Sequence, residues 1–228
     1  MKIISYTNKG TRSKNEDYML SEQLNDAISF HIVADGMGGY SYGEKAAKIV
    51  VETIFEQICQ IDFSVAITEE NIIAVCKVAN RKLQEEGVKL STKLGATFAS
   101  VLIIKDVIYA FWMGDARIYL FDENKKLLFQ STDHSLINEL RSSRTLTVNE
   151  IKKYDAIVTR CLSSEPLEFP PQIEVLSYSS KSTIILCSDG LYKEVDINEI
   201  VVMSSEEMIP LLLSIEKEMS DNFSVIVV

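Results

Sequence analysis

Apolar positions in this chain form two patterns: short unbroken runs that end in acids, and longer stretches with helical spacing. The clearest run covers residues 30–34 and leads into Asp35-Gly36-Met37-Gly38-Gly39. A run of that length bounded by turn residues reads as a buried strand. Ile184-Ile185-Leu186-Cys187 leads likewise into Ser188-Asp189-Gly190, and residues 109–113 lead into Gly114-Asp115. Residues 1–6 read as a first strand. Residues 18–24 and 28–34 read as a hairpin around Asn25-Asp26. That pairing sets Asp17 beside Asp35, because the open ends of an antiparallel pair are neighbours. Further strands are expected at 98–105, 107–113, 118–121, 127–130, 173–177 and 183–187. A last one follows Asp221-Asn222.

Helical spacing appears at Ala46, Ala47, Val50, Ile54 and Ile58, behind the capping box Ser41-x-x-Glu44. It returns over 69–86, with Ile72, Cys76, Ala79 and Leu83 on one face. Helical signals also mark 133–141, and Thr147-x-x-Glu150, Asp196-x-x-Glu199 and Ser204-x-x-Glu207 cap short helices. Residues 141–153 are polar and basic and read as a surface excursion. The strands cluster in hairpins with helices between clusters. That order favours an α+β layered fold over a parallel doubly wound sheet.

Composition narrows the function. A chain of 228 residues without a linker or repeat is expected to be one domain over 1–228. A net charge of −10 argues against nucleic acid and against an anionic membrane surface. No run approaches the ~18 apolar residues of a spanning helix, so a cytoplasmic protein is expected. Cys59, Cys76, Cys161 and Cys187 form no C-x-x-C pair, and are read as small buried hydrophobes.

Asp17, Asp35, Asp115, Asp189 and Asp221 all stand at strand ends. Oxygen donors of this kind suit hard cations such as Mg²⁺ or Mn²⁺, which keep several waters and use few carboxylates each. Two such ions can share and acidify one water and clamp a phosphoryl group. His31 falls inside a strand and His134 follows Asp133, so a Ser-His-Asp triad has little to stand on.

With these residues in view, the chain resembles the metal-dependent protein phosphatases, the type 2C serine/threonine phosphatases, in their compact bacterial form. The motifs that carry the resemblance run nearly end to end. They are Arg12-x-x-Asn15-Glu16-Asp17, Asp35-Gly36-Met37-Gly38-Gly39 with Gly43-Glu44 beyond it, Gly95-x-Thr97, Gly114-Asp115-x-Arg117, Thr132-Asp133-His134-Ser135, Thr159-Arg160, Ser188-Asp189-Gly190 and Asp221-Asn222. The resemblance implies a four-layer αββα sandwich, two antiparallel sheets flanked by helices, with two tight Mn²⁺ or Mg²⁺ ions at one end. It implies that Asp35 bridges the ions, with the Gly36 carbonyl as a further ligand. Asp17 would serve one ion, and Asp189 and Asp221 the other. Asp115 with Asp189 matches acids that hold a third, labile ion. Arg12 matches the phosphate-binding arginine, and Glu16 and Asn222 stand behind the ligands.

The implied activity is hydrolysis of phosphoserine and phosphothreonine in phosphorylated protein substrates of a serine/threonine kinase. In the implied mechanism a hydroxide bridging the two ions would attack, with no covalent enzyme intermediate, and a monomer is expected. The alternatives are a pseudophosphatase serving as a binding module, which has no need to hold five acids together, and a two-metal nuclease, which the acidic composition disfavours. Met37 stands where animal members carry a histidine proposed as general acid, which leaves leaving-group protonation to water or another group. Ala116 and Ser163 also depart from the family pattern, as do a short flap over 135–154 and a short segment before Asp221.

Overall fold

Alternation along the strands explains the layers. On strand β3 (Ile28–Gly36), Phe30, Ile32 and Ala34 pack to one side and Val33 to the other. On β11 (Phe223–Val227), Phe223, Val225 and Val227 face one way and Ile226 the opposite way. Each strand is buried on both faces, so both read as continuous apolar runs although their sheets are antiparallel. The computed structural model describes residues 3–37 and 42–228.

One sheet has the order β1-β11-β10-β6-β7, with β1 (Ile4–Asn8), β10 (Thr183–Cys187), β6 (Arg117–Phe121) and β7 (Leu127–Gln130). The other has the order β2-β3-β4-β5-β9, with β2 (Asp17–Asn25), β4 (Gly95–Ile104), β5 (Val107–Met113) and β9 (Gln172–Ser177). The short β8 (Leu162–Ser163) pairs with β4. Helices α1 (Gly43–Ile58) and α2 (Glu69–Leu90) cover the outer face of the second sheet. Helices α5 (Asp189–Tyr192), α6 (Ile197–Val202) and α7 (Ser205–Ile215) cover the first. Helices α3 (Leu136–Arg141) and α4 (Val148–Tyr154) occupy the excursion at 135–154. This is the expected αββα sandwich.

Between the sheets lie Val33, Ala99, Val101, Ile108, Trp112, Ile118, Leu120, Ile184, Leu186 and Ile226. Each fully buried aliphatic side chain here is worth about 1.5–3 kcal/mol over exposure. This middle layer therefore holds the sheets together, and the polar end beyond it is free to serve chemistry.

The hairpin, the strands at 107–113, 127–130 and 183–187, and the capping boxes at Thr147 and Ser204 stand as expected. Other elements differ. Helix α2 runs one turn past 86, to Leu90, and starts at a Thr68–Asn71 capping box. Asp196 caps α6 through the Asn198 amide rather than through a box with Glu199. Helix α1 starts at Gly43 behind Tyr42, whose backbone is left-handed. Ser41 of the expected capping box lies outside the described residues, as do Gly38, Gly39 and the first two residues of the expected first strand. Cys76 and Cys187 are buried, but Cys59 caps the C-terminus of α1 and is exposed. No described helix is long and apolar enough to cross a membrane.

His31 lies on the inter-sheet face, fully enclosed, with its ring nitrogens 2.7 Å from Ser21 Oγ and 3.0 Å from Ser29 Oγ. Burial lowers its pKa to about 4. A histidine depressed in the folded state adds stability above its unfolded pKa, and that stability is lost as pH falls toward the folded one. Between pH 7 and pH 5 the loss is about 2 kcal/mol. His31→Gln should therefore flatten the acid limb of the stability curve in urea titrations at these two pH values. An unchanged acid limb would mean that the serine hydroxyls accommodate the imidazolium without cost.

Candidate active site

The register of the second sheet brings the first acids together. Asp17 faces Asp35 across β2 and β3, and Asp35 faces Thr97 across β3 and β4. All three point toward the other sheet, at the end of the apolar middle layer. Asp115 follows β5 after Gly114, whose φ of +103° is open to glycine alone, and a Cβ there would strike Thr97. His134 Nδ1 accepts the Gly114 amide at 3.1 Å, and its Nε2 stands 3.1 Å from Gln172 Oε1. His134 thus fixes the turn before Asp115 and acts as a structural hydrogen-bonder.

The first sheet supplies the remaining acids. Strand β10 ends in Ser188-Asp189 and β11 begins after Asp221-Asn222, and these antiparallel ends are neighbours. Gly190 lies so close to the Asn222 carbonyl that a Cβ would come within 2.0 Å of it. Asn222 organises the loop that carries Arg12. Its Nδ2 donates to the carbonyls of Lys9 at 3.0 Å and Lys14 at 2.8 Å, and its Oδ1 accepts the Glu16 amide at 2.8 Å.

Arg12, Glu16, Asp35, Gly36, Asp115, Asp189, Asp221 and Asn222 line one cavity of about 320 Å³, with Met37 and Thr97. Asp17 is buried behind it, 6% exposed. Its Oδ2 accepts the hydroxyls of Ser188 at 2.6 Å and Ser224 at 2.7 Å, both from the other sheet. Its Oδ1 is buried with no hydrogen-bond partner. Sequence reasoning gave no role to either serine. The signal was there: Ser224 is a lone hydroxyl in the run Phe-Ser-Val-Ile-Val-Val, at a position whose period points it between the sheets.

Crowding of carboxylates governs the electrostatics. Burial raises the Asp17 pKa to about 7, with Asp189 and Asp221 adding to the rise against the two serine hydroxyls. Asp35 keeps an edge on the cavity, but its dense surroundings push its pKa well above the usual range, followed by repulsion from Asp17 and Asp189. The nearness of the Asp189 carboxyl adds to that rise. Burial, then Asp189, raises Asp115 to about 7. Burial raises Glu16 too, with Glu44 next. Two side-chain cations offset this charge. Arg12 pairs with Asp221 at 2.7 Å, and Lys193 with Asp189 at 2.6 Å.

Among the described residues, no three acids, histidines or cysteines are drawn into a ligating array by themselves. The arrangement nevertheless fits hard divalent ions. Its donors are all oxygen, such ions complete their shells with water, and Asp17 Oδ1 is a buried acceptor without a donor.

Fold and site together describe a four-layer sandwich with a carboxylate-rimmed cavity at one end of its sheets, and comparison with known proteins makes the class specific. The family model for protein phosphatase 2C matches residues 7–222. The chain belongs to the protein phosphatase 2C family. It is 29% identical over 210 residues to a putative protein phosphatase 2C-type from Streptococcus pyogenes, covering 89% of this chain and 84% of that one. It is 28% identical over 193 residues to the serine/threonine phosphatase stp of Listeria monocytogenes, covering 79% and 73%. Among solved structures, the serine/threonine phosphatase of S. agalactiae superposes with a TM-score of 0.84 at 27% identity, over 99% of this chain and 98% of that one. The catalytic domain of the phosphatase PstP in complex with two manganese ions shares the fold, with a TM-score of 0.76 at 20% identity over 99% and 96%.

Proposed function

We propose that this chain is a metal-dependent phosphoprotein phosphatase that hydrolyses phosphoserine and phosphothreonine with two Mn²⁺ or Mg²⁺ ions. The supporting observation is the gathering of acids from both sheets around one cavity that also holds a guanidinium. The names of its relatives support the same substrate class. In this reading residues 1–228 act as one catalytic domain, and the substrates are phosphorylated proteins made by a serine/threonine kinase.

Asp35 would bridge the ions, with the Gly36 carbonyl beside it. Asp17 would serve one ion, and Asp189 and Asp221 the other. When bound, the ions supply an acidified water and a clamp on the phosphoryl oxygens. The chain's own part is orientation. Ser188 and Ser224 hold Asp17 by one oxygen and leave the other without a hydrogen-bond partner. Asn222 fixes the loop around Arg12, and the guanidinium fork suits two phosphoryl oxygens at once. Met37 on the cavity wall offers no proton, so the leaving alkoxide takes one from water or from another group. The test is hydrolysis of phosphopeptides with Mn²⁺, with Mg²⁺ and with chelator. Full activity in the chelated protein overturns the reading.

Arg12 gives a second test. Its side chain is 58% exposed and rests on Asp221, so it can leave that carboxylate for a substrate. A charge-assisted hydrogen bond is worth about 1.5–3 kcal/mol. Arg12→Ala should therefore raise KM for phosphopeptides about 10–100-fold. Mn²⁺ affinity should hold or tighten, because Asp221 loses a competing cation. A variant with wild-type KM and weaker Mn²⁺ binding would assign Arg12 to the metal site instead.

A further inference from the structure

The turn after Asp189 places a cation where the family resemblance implies a third ion. Residues 189–192 form a single helical turn, and the Lys193 amide closes it on the Asp189 carbonyl at 3.1 Å. Four residues on, the Lys193 side chain folds back along that turn, and its ammonium donates to Asp189 Oδ2 at 2.6 Å. Asp115 and Asp155 also act on this ammonium from the end of β5 and from the C-terminus of α4. Asp115 and Lys193 line a second polar cavity of about 490 Å³, which adjoins the first at Asp115. Of the two arginines that line the same cavity, Arg117 and Arg141, the first is already engaged. Arg117 forks onto Asp133 at 2.8 and 2.7 Å and lies 3.5 Å over the Tyr192 ring.

We propose that Lys193 is a tethered cation that fills the outer position between Asp115 and Asp189, so that this chain works with two divalent ions and has no outer divalent site. The inference rests on the two-ion reading above and concerns only the position beyond it. A divalent ion between Asp115 and Asp189 would have to displace an ammonium already hydrogen-bonded there. The ammonium is tethered, so it competes at an effective concentration on the order of millimolar or above. A weakly held ion cannot outcompete it. Asp115 then acts as part of an anionic seat for Lys193, and Lys193 is a positioning residue that orients Asp189 for its inner ion.

The experiment counts Mn²⁺ by equilibrium dialysis into the millimolar range on wild type, Lys193→Arg, Lys193→Met, Lys193→Asp and the double variant Lys193→Asp/Asp115→Asn. Wild type and Lys193→Arg should bind two ions and no more. Lys193→Asp should gain a third, weaker ion, and the double variant should lose it again. Lys193→Met should gain the same outer ion within the millimolar range, since charges about 4 Å apart at an effective dielectric near 20 interact well above thermal energy and the competing ammonium is gone. A third ion in wild type with the affinity found in the variants overturns the proposal. So does Lys193→Asp that keeps two tight ions and gains none. If wild type binds no Mn²⁺ tightly, the two-ion reading itself falls, and this inference with it.

Discussion

Asp35→Asn should lower phosphopeptide turnover by at least about 10³-fold at saturating Mn²⁺, while the chelated protein melts within about 2 °C of chelated wild type. The first half follows from position. Asp35 lies between Asp17 and Thr97 in the sheet register and close to Asp189 from the other sheet, so in the two-ion reading proposed above it is the acid that would serve both ions. An amide there cannot offer two anionic oxygens, and in that reading its loss removes the group that would anchor the nucleophile. The second half follows from protonation. Burial and neighbouring acids raise the Asp35 pKa well above its usual range in the metal-free protein, which favours the neutral carboxyl. Asparagine has the shape of a neutral carboxyl. Little repulsion is removed and little contact is lost. Thermal melts with chelator and with Mn²⁺ decide it. Chelated Asp35→Asn melting far below wild type would make Asp35 a structural residue first, and wild-type turnover in the variant would remove it from the chemistry.

Mn²⁺ should raise the melting temperature of the wild type by about 5–10 °C at a hundredfold excess over Kd. One site filled to that degree stabilises the folded state by about 2.7 kcal/mol. For chains of 150–250 residues each kcal/mol shifts Tm by about 2–4 °C. The acids lie at residues 17 to 221 and are dispersed in the unfolded chain, so binding to it is weak. The metal-free site is not a bare cluster of charges. Arg12 covers Asp221, Lys193 covers Asp189, and two hydroxyls serve Asp17. These contacts offset part of the repulsion among the acids when no ion is bound. Asp35→Asn should lose most of the rise. A wild-type Tm that ignores Mn²⁺ would mean that the acids never form a divalent site.

Much of this arrangement is readable from the chain, because strand period and antiparallel pairing are local rules. Asp17 faces Asp35 for the reason the hairpin predicts, and the runs ending in Asp115 and Asp189 are strands that reach the cavity. What is not readable depends on approaches between distant segments. Ser188 and Ser224 matter through Asp17, which lies 171 and 207 residues away. Helix α1 starts at Gly43, where a Cβ on Gly36 would come within 2.1 Å of the Gly43 carbonyl, a close approach that the local sequence does not announce. Lys193 is one turn from Asp189, but α5 is a four-residue helix with no apolar stripe to announce it. Cys59 is exposed because α1 ends at residue 58, an end the apolar spacing alone does not mark.

The clamp of Ser188 and Ser224 on Asp17 also bears on how the molecule comes into being. It joins one sheet to the other across nearly the whole chain, since β2 is an early strand and β11 the last described one. Closing loops of that length is entropically expensive, and contacts between distant segments form slowly. The helices and hairpins can assemble from near neighbours, but the acid end of the sandwich cannot. On a refolding chain the apolar layer must first bring the sheets face to face. The acid end of the sandwich is therefore expected to be among the last parts to form, and whatever it binds waits on the closing of both sheets.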